Sequence, residues 1–147
     1  MHKKIHTRSL ILVVAFLVQG CSPLISPYDQ YAYIQATSLK VDALNLMDSA
    51  TDSVQLHEKD INTVVTNLQK IYEYEKNRPK DTATTSQWKL MIDTSGHLFG
   101  GFIARWKKEK VLRKAYVEDK KIQIGFCFDQ ISELESKKIK PSQISNN

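Results

Sequence analysis

The sequence predicts an all-α protein that folds as an antiparallel bundle of three or four helices. Apolar residues recur at separations of three, four or seven over most of residues 28–134, which is the spacing of one face of a helix. Where apolar and polar residues alternate over the length of a strand, the helical spacing explains the same residues equally well. Glycine and proline are absent from Tyr28 through Arg78, so the usual helix-stopping residues are missing from the first half of this region.

Residues 28–77 are expected to form either one long helix or a kinked pair of helices. The apolar positions that define the pattern are Ile34, Val41, Leu44, Met47, Val54, Ile61, Val64, Leu68 and Ile71. The stretch "DSATDS", residues 48–53, is composed mostly of residues that favour helix caps over helix interiors. We therefore favour a break there. Pro79 biases Arg78 away from helical geometry and ends the second segment.

A short third helix is predicted over residues 87–92, because Thr84 and Gln87 fit a capping box. A turn follows at "DTSG", and the next helix contains the stripe Leu98, Phe99, Phe102, Ile103 and Trp106. Gly100 and Gly101 each disfavour a helix by about 1 kcal/mol relative to alanine. We expect them where another backbone approaches closely.

The last predicted helix buries Val117, Ile124, Phe128, Ile131 and Leu134. A single helical domain over residues 28–138 is expected, followed by a disordered tail over residues 139–147 that contains Pro141.

The amino-terminal segment has the pattern of an export signal. Lys3, Lys4 and Arg8 precede an apolar run over residues 10–18, and Gly20 follows. This run is too short to cross a bilayer, which takes about 20 residues. A basic start, a short apolar run and a small residue at the cut are typical of a secretory signal peptide.

The letters "VQGC", residues 18–21, resemble the lipobox of bacterial lipoproteins. The resemblance implies that residues 1–20 are removed and that Cys21 carries a diacylglyceryl group and an N-acyl chain, with no other cofactor. Residues 21–27, which include Pro23 and Pro27, then form a lipid-anchored tether. Ser22 follows the cysteine where retained inner-membrane lipoproteins of enteric bacteria typically have Asp. An outer-membrane location facing the periplasm is implied. The alternative is an ordinary secreted protein that is cut before a cysteine.

The stretches "YEYEKNRPKD", "QWKLMID" and "GGFIARWKKEK" resemble a set of small bacterial lipoproteins. The resemblance covers the middle third of the chain. It implies a location in the bacterial envelope and brings no catalytic residues.

Few residues suit catalysis or metal binding. Past the predicted signal only His57 and His97 remain, and His57 lacks the second histidine of a zinc-binding H-E-x-x-H. We expect His57 on a helix surface and His97 exposed or capping a helix. Asp48 and Asp52 are expected to cap or face solvent, since calcium needs six to eight oxygen ligands. If Cys21 is lipidated, Cys127 has no cysteine with which to form a disulfide. We expect it to pack as a small hydrophobic residue whose thiol has a raised pKa.

Charge is unevenly distributed along the chain. Residues 21–77 contain four basic and eight acidic residues, whereas residues 78–123 contain eleven basic and five acidic residues. The candidate partner-binding residues lie in this basic block: Arg105, Trp106, Lys107, Lys108, Lys110, Arg113 and Lys114. Export argues against nucleic acid as the partner. Three interpretations remain: neutralisation by the acidic helices, an anionic membrane or lipopolysaccharide surface, or an acidic envelope protein with Trp106 as the anchor.

These features together predict a lipid-anchored interaction or structural protein without catalytic activity. Its membrane contact is through the lipid anchor, and its other partner is an envelope protein or an anionic lipid. A phage or conjugation exclusion lipoprotein is the alternative function, and a periplasmic enzyme is the third. The sequence does not indicate an oligomeric state.

Overall fold

The computed structural model describes residues 28–79, 82–137 and 139–144. Within these ranges there is no strand. The described helices are α1 (Gln30–Asp48), α2 (Glu58–Lys76), α3 (Thr82–Ile92), α4 (Phe99–Glu109) and α5 (Lys114–Glu135). Three 3-10 turns accompany them at Ser49–Thr51, Val54–His57 and Pro141–Gln143. The predicted signal peptide, Cys21 and the tether lie outside the described residues.

The fold is a four-helix bundle with α4 as an additional short helix. Helix α1 packs against α2 and α5, and α3 packs against the same two helices on the other side. Two ion pairs fix the antiparallel register of α1 and α5. Lys40 binds Asp129, and Lys121 binds Asp48. The predicted all-α antiparallel bundle is therefore confirmed.

The predicted break between α1 and α2 is also confirmed, since α1 ends at Asp48 and the two 3-10 turns form the connector. The predicted core face of α2 is correct. That of α1 is correct for Met47, which is buried, and for Leu44, which packs against the core, but wrong for two other positions. Ile34 and Val41 are exposed. Beside Met47, the buried face of α1 contains Ala32, Ala36, Leu39, Ala43 and Leu46. Alanine carries little apolar surface, so the larger exposed residues dominate the sequence pattern.

Helix α3 begins earlier than predicted. It starts at Thr82, and Thr84 is fully buried inside it, so the predicted capping box at Thr84 is wrong. The turn after α3 is as expected. The carboxylate of Asp93 accepts hydrogen bonds from the backbone N–H of Ser95 at 2.9 Å and from its hydroxyl at 2.7 Å.

Residues 139–144 belong to the segment for which a disordered tail is expected, and that expectation stays a prediction. A 3-10 turn covers Pro141–Gln143. The backbone N–H of Lys140 donates to Oε1 of Gln143 at 2.9 Å, and the N–H of Gln143 donates back to the Lys140 carbonyl at 2.9 Å. This reciprocal pair of local hydrogen bonds stabilises the turn, and the sequence pattern did not indicate it.

Gly100 and Gly101 let the start of α4 lie against the end of α3. A Cβ atom on Gly100 would lie 2.6 Å from the carbonyl carbon of Ile92, and one on Gly101 would overlap the carbonyl oxygen of Gly96. The predicted close approach of another backbone is therefore confirmed. By contrast, a Cβ on Gly125 in α5 would meet only side-chain atoms, of which the nearest is Cδ1 of Leu44 at 3.5 Å.

We expect Gly101→Ala to lower the free energy of unfolding by about 1–3 kcal/mol, because the added methyl group meets main-chain atoms that cannot move independently. Gly125→Ala is the matched control, and we expect it to raise the free energy by up to about 1 kcal/mol through helix propensity. Urea unfolding followed by helical circular dichroism measures both. Equal effects of the two substitutions would contradict the close approach at Gly101.

Candidate binding surface

Two connecting segments of the chain meet at one end of the bundle. The backbone N–H of Val54 donates to the carbonyl oxygen of Lys110 at 2.9 Å, and the N–H of Leu112 donates to the carbonyl oxygen of Ala50 at 2.8 Å. Ala50, Val54 and Leu112 are all buried. Residues 49–57 and 110–113 are therefore fixed to one another, and we call this part of the molecule the connector end.

Trp106 belongs to the core at the connector end. Its side chain is 0% exposed, and its indole N–H donates to the carbonyl oxygen of Asp52 at 3.1 Å. Its ring centroid lies 5.6 Å from that of His57. The role of partner anchor that the sequence suggested for Trp106 is therefore wrong, because a fully enclosed ring offers no surface to a partner. Its place in the apolar stripe with Phe102 and Ile103 was the signal for burial.

Four cationic side chains at the connector end are exposed: Lys107, Lys108, Lys110 and Arg113. We call them the cationic segment. None of them forms an ion pair or a side-chain hydrogen bond with a residue that the structure describes. Lys107 and Lys108 lie in the last turn of α4, where positive charge interacts favourably with the helix dipole. That interaction leaves their ammonium groups in solvent.

The other two basic candidates have acidic neighbours on their own helix. Nε of Arg105 lies 2.8 Å from Oε1 of Glu109, and its guanidinium lies 4.0 Å from the ring centroid of Tyr116. Nζ of Lys114 lies 3.8 Å from Oε1 of Glu118, with both side chains largely exposed. Arg105 is thus held against its own helix surface, while the contact of Lys114 is weak.

Lys110 ends α4 in an unusual backbone conformation. Its φ is 71°, in the region that residues with a Cβ rarely adopt. The conformation is held on both sides, because the Lys110 N–H donates to the Trp106 carbonyl at 2.8 Å and the Lys110 carbonyl accepts from Val54. The backbone that carries the Lys110 side chain is therefore held in one conformation.

A groove separates α2 from α4 next to the cationic segment. Its volume is about 230 Å³. Val65 and Leu68 line it from α2, and Phe99, Ile103 and the exposed Lys107 line it from α4. The groove is thus lined mainly by apolar residues, and its lining includes the charged residue Lys107.

The opposite end of the bundle contains a buried charge network around Arg78. Nη1 of Arg78 lies 2.6 Å from Oε2 of Glu75 and 2.9 Å from Oε2 of Glu135, and both carboxylates are buried. Nε of Arg78 lies 3.8 Å from Oδ2 of Asp29, which also accepts a hydrogen bond from the Tyr74 hydroxyl at 2.6 Å. That hydrogen bond lowers the pKa of Asp29 and raises the pKa of Tyr74 to about 12. We call this part the Arg78 end.

The histidines and the remaining candidates take separate positions. His97 is exposed, as expected, whereas His57 is partly buried rather than on a helix surface, and its Nε2 lies 3.7 Å from Oδ2 of Asp52. Asp48 pairs with Lys121. Burial raises the pKa of the Cys127 thiol, as predicted. In the part of the chain that the structure describes, no group of three or more His, Cys, Asp or Glu residues could hold a metal ion.

None of the described helices is long and apolar enough to cross a membrane. No known protein family, curated protein or solved structure matches the chain. A proposal for function therefore depends on the arrangement of side chains at the two ends of the bundle.

Proposed function

We propose that this chain is a bacterial lipoprotein, anchored through Cys21, that binds an acidic envelope protein through the connector end of its bundle. The observation that carries the proposal is the cationic segment. Its four side chains are exposed and form no ion pair within the described residues. The proposed role is interaction or structural support, with no chemical reaction assigned.

The internal ion pairs argue against neutralisation of the cationic segment by the acidic helices. Cations that do pair with acids on another helix are Lys40, Arg78 and Lys121. Asp48 of α1 and Glu75 of α2 are thus committed to other cations, whereas Asp129 and Glu135 lie in α5. Exposed charges that lack an internal partner can attract and orient an oppositely charged protein.

The length of α1 favours a protein partner over an anionic membrane near the anchor. Helix α1 has 19 residues, which corresponds to about 28 Å at 1.5 Å per residue. The tether joins the start of α1, whereas the cationic segment lies near its far end. Attraction to a charged leaflet decays within a Debye length of about 8 Å in physiological salt.

The groove between α2 and α4 indicates what else the partner presents. An apolar side chain that enters a pocket, surrounded by polar contacts, is the usual arrangement of a binding hot spot. Because Lys107 lines this groove, we expect the partner to place an apolar side chain there and acidic residues beside it.

A photocrosslinking experiment in living cells tests the proposal. A photoreactive residue at Val111, which is exposed between Lys110 and Arg113, is expected to form a protein adduct. The same residue at the exposed Leu90 of α3 is the control and is expected to form none. The charge-reversal variant Lys107→Glu, Lys108→Glu, Arg113→Glu should reduce the adduct by at least about tenfold, since like charges across an interface cost more than 1.4 kcal/mol.

A second variant, Lys59→Glu, Lys70→Glu, Lys89→Glu, matches the charge change at other exposed positions. It is expected to retain the adduct. Equal loss in both variants would indicate non-specific attraction and contradict the proposed surface. Loss of the helical circular dichroism signal in the first variant alone would mean that the cationic segment stabilises the fold instead.

A further inference from the structure

We infer that the Arg78 end of the bundle rests on the bilayer interface, with Tyr28, Tyr31 and Ile34 in contact with lipid headgroups. This inference rests on the lipid anchor proposed at Cys21. Tyr28 is 52% exposed and Tyr31 is 51% exposed, and Ile34 and Tyr74 beside them are also exposed. We call these four residues the tyrosine surface.

The tyrosine surface is close in sequence to the proposed lipid anchor and is therefore near the membrane. Tyr28 is seven residues after Cys21, and seven extended residues span at most about 25 Å. A lipidated Cys21 lies at the membrane, so the start of the domain stays within about 25 Å of it. Leu56, at the connector end, lies beyond the far end of α1.

The chemistry of the tyrosine surface matches the membrane interface. Tyrosine has an apolar ring and a polar hydroxyl, and it is enriched where hydrocarbon meets water. Ile34 adds apolar area one turn along α1 from Tyr31. Tyr74 has its hydroxyl bound to Asp29, so it presents a neutral ring edge next to Tyr31.

The rings are held in place before any contact with lipid. Tyr31 of α1 and Tyr74 of α2 pack edge to face with centroids 4.9 Å apart, and Tyr28 lies 6.5 Å from Tyr33. The hydrogen bond from Tyr74 to Asp29 joins α2 to the start of α1 and fixes the ring against which Tyr31 packs, so Tyr31 has less side-chain freedom to lose on binding. Such preorganisation reduces the entropic cost of association.

The carboxylates at this end are either buried or in contact with a cation. Glu75 and Glu135 are buried, and both contact Arg78. Asp29 lies 3.8 Å from the same guanidinium, and the exposed Glu73 pairs with Lys76 at 3.3 Å. An anionic leaflet would therefore meet Asp29 and the paired Glu73 rather than all four carboxylates.

Tryptophan fluorescence in vesicles tests the inference. The full lipoprotein carrying Tyr31→Trp is reconstituted in phosphatidylethanolamine–phosphatidylglycerol vesicles whose acyl chains are brominated. The native Trp88 and Trp106 are both 0% exposed, so neither is reached by lipid. We expect the emission that the Tyr31→Trp variant adds to that of the native protein to be at least about twofold lower in brominated than in unbrominated vesicles, as for an interfacial tryptophan.

Leu56→Trp is the matched control, because Leu56 is 75% exposed at the connector end. Its fluorescence should be unchanged by brominated lipid. Equal quenching of both variants would mean that the bundle lies flat on the membrane and would overturn the inference. Shielding of Tyr31→Trp from aqueous iodide without quenching by brominated lipid would also overturn it, since a protein would then cover this end.

Radiolabelled palmitate separates failure of the inference from failure of the anchor. The native chain should incorporate palmitate, and Cys21→Ser should abolish incorporation and leave unprocessed precursor. Palmitate incorporation with no quenching of Tyr31→Trp overturns the inference and leaves the anchor intact. Absence of incorporation into the native chain overturns both.

Discussion

Replacing Arg78 with methionine should lower the free energy of unfolding by about 3–5 kcal/mol, because buried carboxylates lose their compensating guanidinium. Nη1 of Arg78 lies within 3 Å of both Glu75 and Glu135, at 2.6 and 2.9 Å, and both acids are buried. Methionine fills a similar space and removes the charge. Urea unfolding of the purified domain measures the loss.

Lys76→Met is the control for the Arg78 substitution. Lys76 also pairs with an acid three residues earlier, Glu73, but both side chains are more than half exposed. We expect this change to cost less than about 1 kcal/mol, as is usual for surface ion pairs. A loss in Arg78→Met no larger than that in Lys76→Met would show that the buried network does not stabilise the fold.

The second large effect is expected at Trp106. Trp106→Ala should lower the free energy of unfolding by about 3–5 kcal/mol, because it removes a fully buried ring and leaves a cavity. It also removes the hydrogen bond to the Asp52 carbonyl, which holds α4 against the connector between α1 and α2. Leu56→Ala, at an exposed position of that connector, should change the free energy by no more than about 0.5 kcal/mol.

Trp106→Phe separates the ring from its hydrogen bond. It retains most of the apolar volume, so its free energy of unfolding should fall by less than that of the alanine variant. Relative to the native protein the loss should be about 1 kcal/mol or more, for the missing hydrogen bond and the smaller ring. If Trp106→Ala were as stable as the native protein but lost the adduct formed at Val111, the ring would be a partner anchor after all.

The sequence predicted the fold well where large apolar residues face the core. The stripe from Phe99 to Trp106 and the last helix are examples, since large side chains at helical spacing leave one face to bury. The prediction was wrong at Ile34 and Val41 of α1, because much of the buried face of that helix consists of the small residues Ala32, Ala36 and Ala43. It also failed at Thr84, whose burial inside α3 depends on packing rather than on local capping preferences.

The candidate surface was predictable in composition but not in arrangement. The basic residues from Lys107 to Arg113 were evident from the sequence. Whether each of them forms an ion pair with an acidic residue depends on tertiary contacts. The same is true of Lys40 and Lys121, which do form such pairs. The network around Arg78 was not predictable, because it joins residues 57 positions apart, at Arg78 and Glu135.

The same network determines how the bundle bears mechanical load. Arg78 contacts Asp29 at the first turn of α1, Glu75 in α2 and Glu135 at the end of α5. A tether that pulls on the amino terminus applies tension to the first turn of α1, and chain ends are normally the first part of a domain to lose order. Here Asp29 accepts a hydrogen bond from Tyr74 of α2 and contacts Arg78, which also contacts α5, so tension on the first turn of α1 would be transmitted to α2 and α5.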